Sequence, residues 1–365
     1  RIRAHARIVR QTFRDKVWFV LQDQAAERAH RFTPAAHHFI GLMDGNRTVQ
    51  QIWDAASAHL GDAAPTQEEA IRLLGQLHAA DALLCDVTPD SMEVFRRYQR
   101  NERMVWRRRL WTPLALRFPL FDPDRFLVRT LPLVRPLFGW FGVVLWLLVV
   151  GLGAVLAATH WTDLTEDIAD RVLAPENLLL LWLVYPVVKG LHELGHAYAV
   201  RTWGGEVHEI GIMLLVFSPV PYVDASAAWG FTDKRKRMLV GAAGIAVELF
   251  LGSLALFVWL MVEPGAVRAV AYNVMLISGV STLLFNGNPL LRFDGYYVLA
   301  DAIEMPNLGA RANQYLGYLF QRHLFGARDA ESPAHSTGER VWSFVYGIAA
   351  FIYRIFISLD RKSVV

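Results

Sequence analysis

His192-Glu193-Leu194-Gly195-His196 places two imidazoles four residues apart inside an apolar stretch. On a helix that spacing puts both rings on one face, where they can share one metal ion. Glu193 is placed to take a proton from a water that such an ion activates, by lowering its pKa toward roughly 7. Three ionisable side chains within a turn of a membrane helix are costly unless ligated or paired, so a functional role is the default. The competing reading is a polar helix face lining a proton or ion path, which predicts flux and no bound metal. A catalytic metal also needs a third protein ligand and an open position. Asn288-Pro289-Leu290-Leu291-Arg292-Phe293-Asp294-Gly295 offers one. Asp294 brings a carboxylate, Gly295 frees the backbone beside it, and Pro289 breaks the preceding helix. Irregular backbone at that depth is expected only where it lines a cavity or the protein interior. A helix cap at the interface is the plain alternative for Asp294, and His208, Glu209, Asp224 and Asp301 are weaker candidates for the ligand. The single cysteine, Cys85, excludes a cysteine zinc site and an internal disulfide.

The elements that must position these residues are apolar. The chain has 365 residues, 54% of them hydrophobic, with a mean hydropathy of +0.26. Both exceed what a soluble domain of roughly 45–50% apolar content shows. Stretches 138–158, 178–198, 238–262, 270–285 and 341–357 are each expected to span a membrane. The second holds the paired histidines, and the fourth runs into Asn288. Between residues 96 and 135, 11 arginines face three acids (Glu102, Asp122, Asp124), a local charge of +8 in a chain of net +3. Trp106 and Trp111 stand among these arginines, a mixture that suits the headgroup level of a bilayer. Nucleic acid is set aside as a partner because the membrane stretches follow directly. Residues 159–177 carry one arginine against five acids, and Lys234-Arg235-Lys236-Arg237 precedes the third stretch. The positive-inside rule then puts the N-terminus and 204–237 in the cytoplasm, although Arg361 and Lys362 fit this less cleanly.

Residues 1–90 mix charges throughout and read as a module outside the membrane. Residues 17–21 and 30–33 look like short strands. Pro34 opens a helix bearing Phe39, Ile40, Leu42 and Met43, stopped by Asp44-Gly45-Asn46. Thr48 can cap a second helix over 49–60, and Thr66 with Glu69 forms a capping box for a third. That third helix is expected to carry Ala70, Leu73, Leu74 and Leu77, with Leu83-Leu84 near its end.

The pair H-E-x-x-H and N-P-x(4)-D-G resembles the site-2 protease family of intramembrane zinc peptidases, over about residues 130–300. The resemblance implies that Asp294 completes a zinc site with His192 and His196, that Glu193 is the catalytic base, and that Asn288 orients substrate or stabilises the intermediate. The run from Gly204 to Met213 resembles that family's membrane-associated β-hairpin, whose edge could take an extended peptide. Ala243-Gly244-Ile245-Ala246-Val247-Glu248 lies where many members carry an Ala-Gly-Pro segment ending in Asn. Ile245 replaces the proline and Glu248 the asparagine. A buried Glu248 needs a partner, and Lys189 is the expected one. Residues 15–88, with Phe39-Ile40-Gly41-Leu42-Met43-Asp44-Gly45-Asn46-Arg47-Thr48-Val49, resemble the PqqD-type domain that recognises leader peptides.

The expected fold is an all-α polytopic membrane protein whose site-2 protease-like core carries a short β-hairpin, preceded by a small α+β winged-helix-like domain. The expected domains are a peptide-binding domain (1–90), an Arg/Trp-rich interfacial linker (91–137), a transmembrane metallopeptidase core (138–305), and an interfacial segment with a further helix (306–365). The expected activity is Zn2+-dependent hydrolysis of a membrane-associated or exported peptide. A non-cleaving zinc scaffold of a peptide maturation or export system is the alternative. Expected partners are a peptide or protein substrate, membrane lipids, and a transporter or periplasmic adaptor. The expected location is a bacterial inner membrane. Arg1 in place of Met suggests a piece of a longer chain, and residues 1–16 lack the apolar core of a signal peptide.

Overall fold

A computed structural model describes residues 6–13, 16–23, 28–79, 83–84, 115–166, 168–215, 218–326, 332–334 and 336–360. Cys85, Trp106, Trp111 and seven of the eleven clustered arginines lie outside the described residues. The chain forms two compact units, one of residues 1–116 with 226–232, the other of 117–225 with 233–365.

In the first unit, strands β1 (Ala6–Phe13), β2 (Lys16–Asp23) and β3 (Arg28–Phe32) form an antiparallel sheet in chain order. Leu21 stands opposite Ile8 on one side and His30 on the other. The strand β1 is an addition to the two strands expected, and its alternation is blurred by charge. Helix α1 (Pro34–Gly41) starts where Thr33 Oγ1 accepts the Ala36 N–H at 3.2 Å. Helix α2 (Val49–Leu60) starts with a full capping box between Thr48 and Gln51. Thr66 and Glu69 form the expected box ahead of α3 (Gln67–Ala79). That helix ends before Leu83-Leu84, which lie beyond it, although Leu83 still packs on the core. The core joins Leu21 and Phe32 to Phe39, Ile40, Ile52, Leu73 and Leu77.

The second unit is mostly helical. Strand β4 (Ala115–Phe121) leads into α4 (Asp124–Val134), and α5 (Trp140–Thr159) is the first long apolar helix. Short helices α6 (Trp161–Thr165) and α7 (Ile168–Leu173) precede α8 (Pro175–Thr202). Strands β5 (Ile210–Leu215) and β6 (Ser218–Val223) pair antiparallel, with Ile210 opposite Val223. The expected hairpin is thus part of a three-stranded sheet, β4-β5-β6. Pro219 and Pro221 sit in β6, an outer strand where missing N–H donors are tolerated.

Helix α9 (Lys234–Met261) is the hub, packing on α5, α8, α10 (Ala266–Leu276) and α11 (Asp294–Ala302). Between α10 and Gly287 the chain continues as a π-helix, Ile277–Asn286. Helices α12 (Leu308–His323) and α13 (Thr337–Asp360) pair with each other, and residues of α11, α12 and α13 share a small core around Tyr296, Leu308 and Tyr346. Among the described residues, four helices are long and apolar enough to cross a membrane: α5, α8, α9 and Ala266–Asn286. The fifth expected stretch is helical too, within α13, but does not count among the four. Leu147, Leu148 and Val155 of α5 are exposed, as a lipid-facing helix requires. Its other face locks onto α9. Trp146 Nε1 donates to the Ala246 carbonyl at 2.8 Å, and a Cβ on Gly153 would lie 2.5 Å from Ser253 Oγ.

Candidate metal centre

Helix α8 is apolar along most of its 28 residues, yet the roughly two turns from Lys189 to His196 carry four ionisable side chains. His192 and His196 face α9 and are buried, 3% and 7% exposed. Asp294 arrives from the other side, on the first turn of α11, after the irregular backbone at residues 287–293. Its Oδ2 lies 3.0 Å from His192 Nε2 and 3.4 Å from His196 Nε2, and the two Nε2 atoms are 3.1 Å apart. Two donors on one tetrahedral ion, each at about 2.05 Å, would stand roughly 3.3 Å apart. The separations fit such an ion.

The protonation pattern points the same way. His196 Nδ1 lies 2.7 Å from the Val240 carbonyl, which can only accept, so the proton of a neutral ring belongs on Nδ1. His192 Nδ1 lies 2.7 Å from Glu248 Oε1, which likewise favours a proton there, although the ring is not yet aligned for a hydrogen bond. Both Nε2 atoms are then lone pairs facing each other and a carboxylate oxygen. Asp294 Oδ2 is buried and accepts no aligned hydrogen bond. With neutral rings, three acceptors converge without a donor, an arrangement that a bound cation would satisfy. Among the described residues, His192, His196 and Asp294 are the group of metal-type ligands whose atoms all lie within 4.8 Å of one another. The group can bind a metal ion.

Gly244 of α9 makes the convergence possible. A Cβ there would lie 2.4 Å from His192 Nε2 and 2.5 Å from His196 Nε2. Glu193 points elsewhere, its Oε2 accepting the Val223 N–H of β6 at 3.0 Å. Lys189 Nζ reaches Glu248 Oε1 at 2.6 Å, the pairing expected of a buried carboxylate.

Comparison of the chain with family models, curated proteins and solved structures gives no match. The remaining candidates are therefore placed by geometry. Asn288 Oδ1 accepts the Leu290 N–H at 2.9 Å and so shapes the turn that delivers Asp294. Among the weaker ligand candidates, Glu209 accepts from the Tyr222 hydroxyl at 2.5 Å, and Asp301 pairs with Arg237 Nε at 2.7 Å. The Asp224 N–H donates to the Glu209 carbonyl at 2.9 Å. None of these joins the cluster.

His208 bridges Asp122 at 3.0 Å and Glu206 at 3.2 Å, in an exposed group outside the membrane stretches. The hydrogen bond to Asp122, then that to Glu206, holds the His208 pKa above its ordinary value. The Asp124 N–H and then His208 hold the Asp122 carboxyl below its own. Next to it, Asp124 accepts the Val207 N–H at 3.3 Å and stands 3.6 Å from Arg201, the basic residue of the last turn of α8. This acidic corner before α4 ties down the chain that leaves α8.

Gly244, the Val240 carbonyl and the Val223 N–H are parts of the site that the motifs did not reveal. The closely spaced small residues of α9 (Gly241, Ala242, Ala243 and Gly244) were the available signal, since a stripe of that kind lets another helix approach.

Proposed function

We propose that this chain is a membrane-embedded zinc metallopeptidase of the site-2 protease type, cleaving a membrane-associated or exported peptide. The observation that carries the reading is the convergence of His192 Nε2, His196 Nε2 and Asp294 Oδ2 within one ion's reach, with Glu193 next to the first ligand on the same helix. Two histidines and a carboxylate are a donor set that suits zinc and leaves a fourth position open. A bound divalent ion supplies Lewis-acid activation of the attacking water and polarisation of the scissile carbonyl. Glu193 takes the proton that the water sheds as its oxygen bonds to the carbonyl carbon. It returns that proton to the amide nitrogen as the C–N bond breaks. The Val223 N–H holds Glu193 Oε2 and so fixes which carboxylate oxygen is free for this transfer. Asn288 is assigned a role in holding the substrate carbonyl through its Nδ2 donors, because Oδ1 is committed to the turn.

The topology that goes with this reading puts the N-terminal unit and the basic Lys234–Arg237 run in the cytoplasm of a bacterial inner membrane. The N-terminal unit then presents the peptide, as a PqqD-type domain would.

The test compares purified wild type with Glu193→Gln and His196→Ala for bound metal and for cleavage of membrane-derived peptides. About one zinc per chain is expected in wild type and in Glu193→Gln, and none in His196→Ala. Cleavage is expected in wild type only, with Glu193→Gln slower by at least ~10²–10⁴-fold. Zinc without cleavage of any peptide would favour a non-cleaving scaffold. Wild type that takes up no zinc would sink the reading.

A further inference from the structure

The two candidate ligands on α8 are served by one stripe of α9. Val240, Gly244 and Glu248 follow at intervals of four residues, one above another on a single face. The Val240 carbonyl holds His196 Nδ1, Gly244 leaves room for both rings, and Glu248 Oε1 lies 2.7 Å from His192 Nδ1. The helices run antiparallel here, so a second acceptor eight residues along α9 meets the second imidazole. For His196 that acceptor is a backbone carbonyl. For His192 it is a side chain.

Glu248 is wholly inaccessible and Lys189 is 6% exposed. Lys189 precedes His192 by three residues on α8, so both reach the same oxygen from one helix face, Lys189 at 2.6 Å. Oε2 of Glu248 has no hydrogen-bond partner, which leaves Oε1 as the working atom. A buried ion pair is a poor device for stability, since apolar residues of like volume hold a fold equally well or better. Its placement behind a metal-type ligand explains it better.

We propose that Glu248 is a positioning residue for the metal centre, orienting His192 and fixing its proton on Nδ1, with Lys189 as its counter-charge. The inference rests on the metal-centre reading above. A carboxylate behind a ligating imidazole fixes the tautomer and makes the other nitrogen a better donor, and its loss weakens metal affinity about 10–100-fold.

The test measures Zn2+ affinity by chelator competition, and Co2+ absorption spectra, on the full chain in detergent. Lys189→Met/Glu248→Leu removes the pair without leaving a bare charge, and strips His192 of its acceptor. Lys189→Met/Glu248→Gln removes the charges but keeps an acceptor. The leucine double variant is expected to bind Zn2+ about 10–100-fold more weakly, with an altered Co2+ spectrum, and the glutamine variant to recover part of the loss. Wild-type affinity and spectrum in both would show a merely structural ion pair and overturn the proposal. Wild type that binds neither ion overturns the metal-centre reading and this proposal with it. A readout that needs no variant is ¹⁵N-histidine NMR of the metal-free protein. His192 is expected as the Nδ1–H tautomer, and the Nε2–H tautomer would overturn the proposal.

Discussion

At the scale of single residues, the candidate metal centre depends as much on an absent atom as on its three side chains. Gly244→Ala would place a methyl carbon 2.4 Å from one ring nitrogen and 2.5 Å from the other. The rings must move apart, and overpacking of this kind costs about 1–3 kcal/mol. We expect Gly244→Ala to remain folded by circular dichroism and to lose Zn2+ binding in chelator competition; binding at wild-type affinity would show that the rings move aside without loss. His192, Glu193 and His196 were legible in the chain because the i, i+4 spacing is a local property. Asp294 was one carboxylate among several candidates and was singled out by the resemblance, since about a hundred residues separate it from the histidines. Gly244 was signalled only by the run of small residues on α9, and the Val240 carbonyl not at all. Each acts through packing between helices, and a backbone carbonyl has no signature in a sequence.

At the scale of elements, capping chemistry was the most transparent signal. Thr48 and Thr66 stand where the second and third helices begin, because side-chain oxygens accept from backbone N–H donors within four residues. The outer sheet was less legible. Strand β4 lies beside β5, and nothing near residue 115 announces a partner some ninety residues away. The acidic corner at Asp122 likewise became visible only in three dimensions. Its pH behaviour can be worked out. His208 has a folded pKa above 6.5, so its contribution is complete below that value and is lost as pH rises through the folded pKa. Asp122 has a folded pKa below 3.8, so its contribution is complete above that value and is lost as pH falls through the folded pKa. The bridge is therefore strongest between about pH 3.8 and 6.5. Wild type minus His208→Gln, followed by thermal midpoint, should show a small gain in that window that fades above it. High salt should shrink the gain, because the pair is exposed. A difference that grows toward alkaline pH would contradict this.

At the scale of the whole molecule, the long apolar helices were plain from composition, and their order around α9 was not. Hydropathy says that a segment can enter a bilayer, but small residues decide which helices touch. Gly153 against Ser253 is one such contact. Gly153→Val should lower the midpoint of detergent or thermal unfolding by an amount corresponding to about 1–3 kcal/mol. An unchanged midpoint would mean that α5 is only loosely held.

The metal centre has one further consequence, seen by adding formal charges. Lys189 contributes one positive charge, and Glu193, Glu248 and Asp294 contribute three negative ones when ionised. A divalent ion brings the sum to zero. Without it, either two negative charges remain in a setting of low dielectric, where they repel strongly, or protons must take the ion's place. Electroneutrality alone then favours a doubly charged ion over a singly or triply charged one, whatever the donor atoms prefer. Chelation should accordingly lower the thermal midpoint of wild type, and lower that of Glu193→Gln by less, since that variant begins one charge closer to balance. On this account a bound divalent ion would serve as the counter-charge that lets four ionisable side chains share an apolar helix bundle.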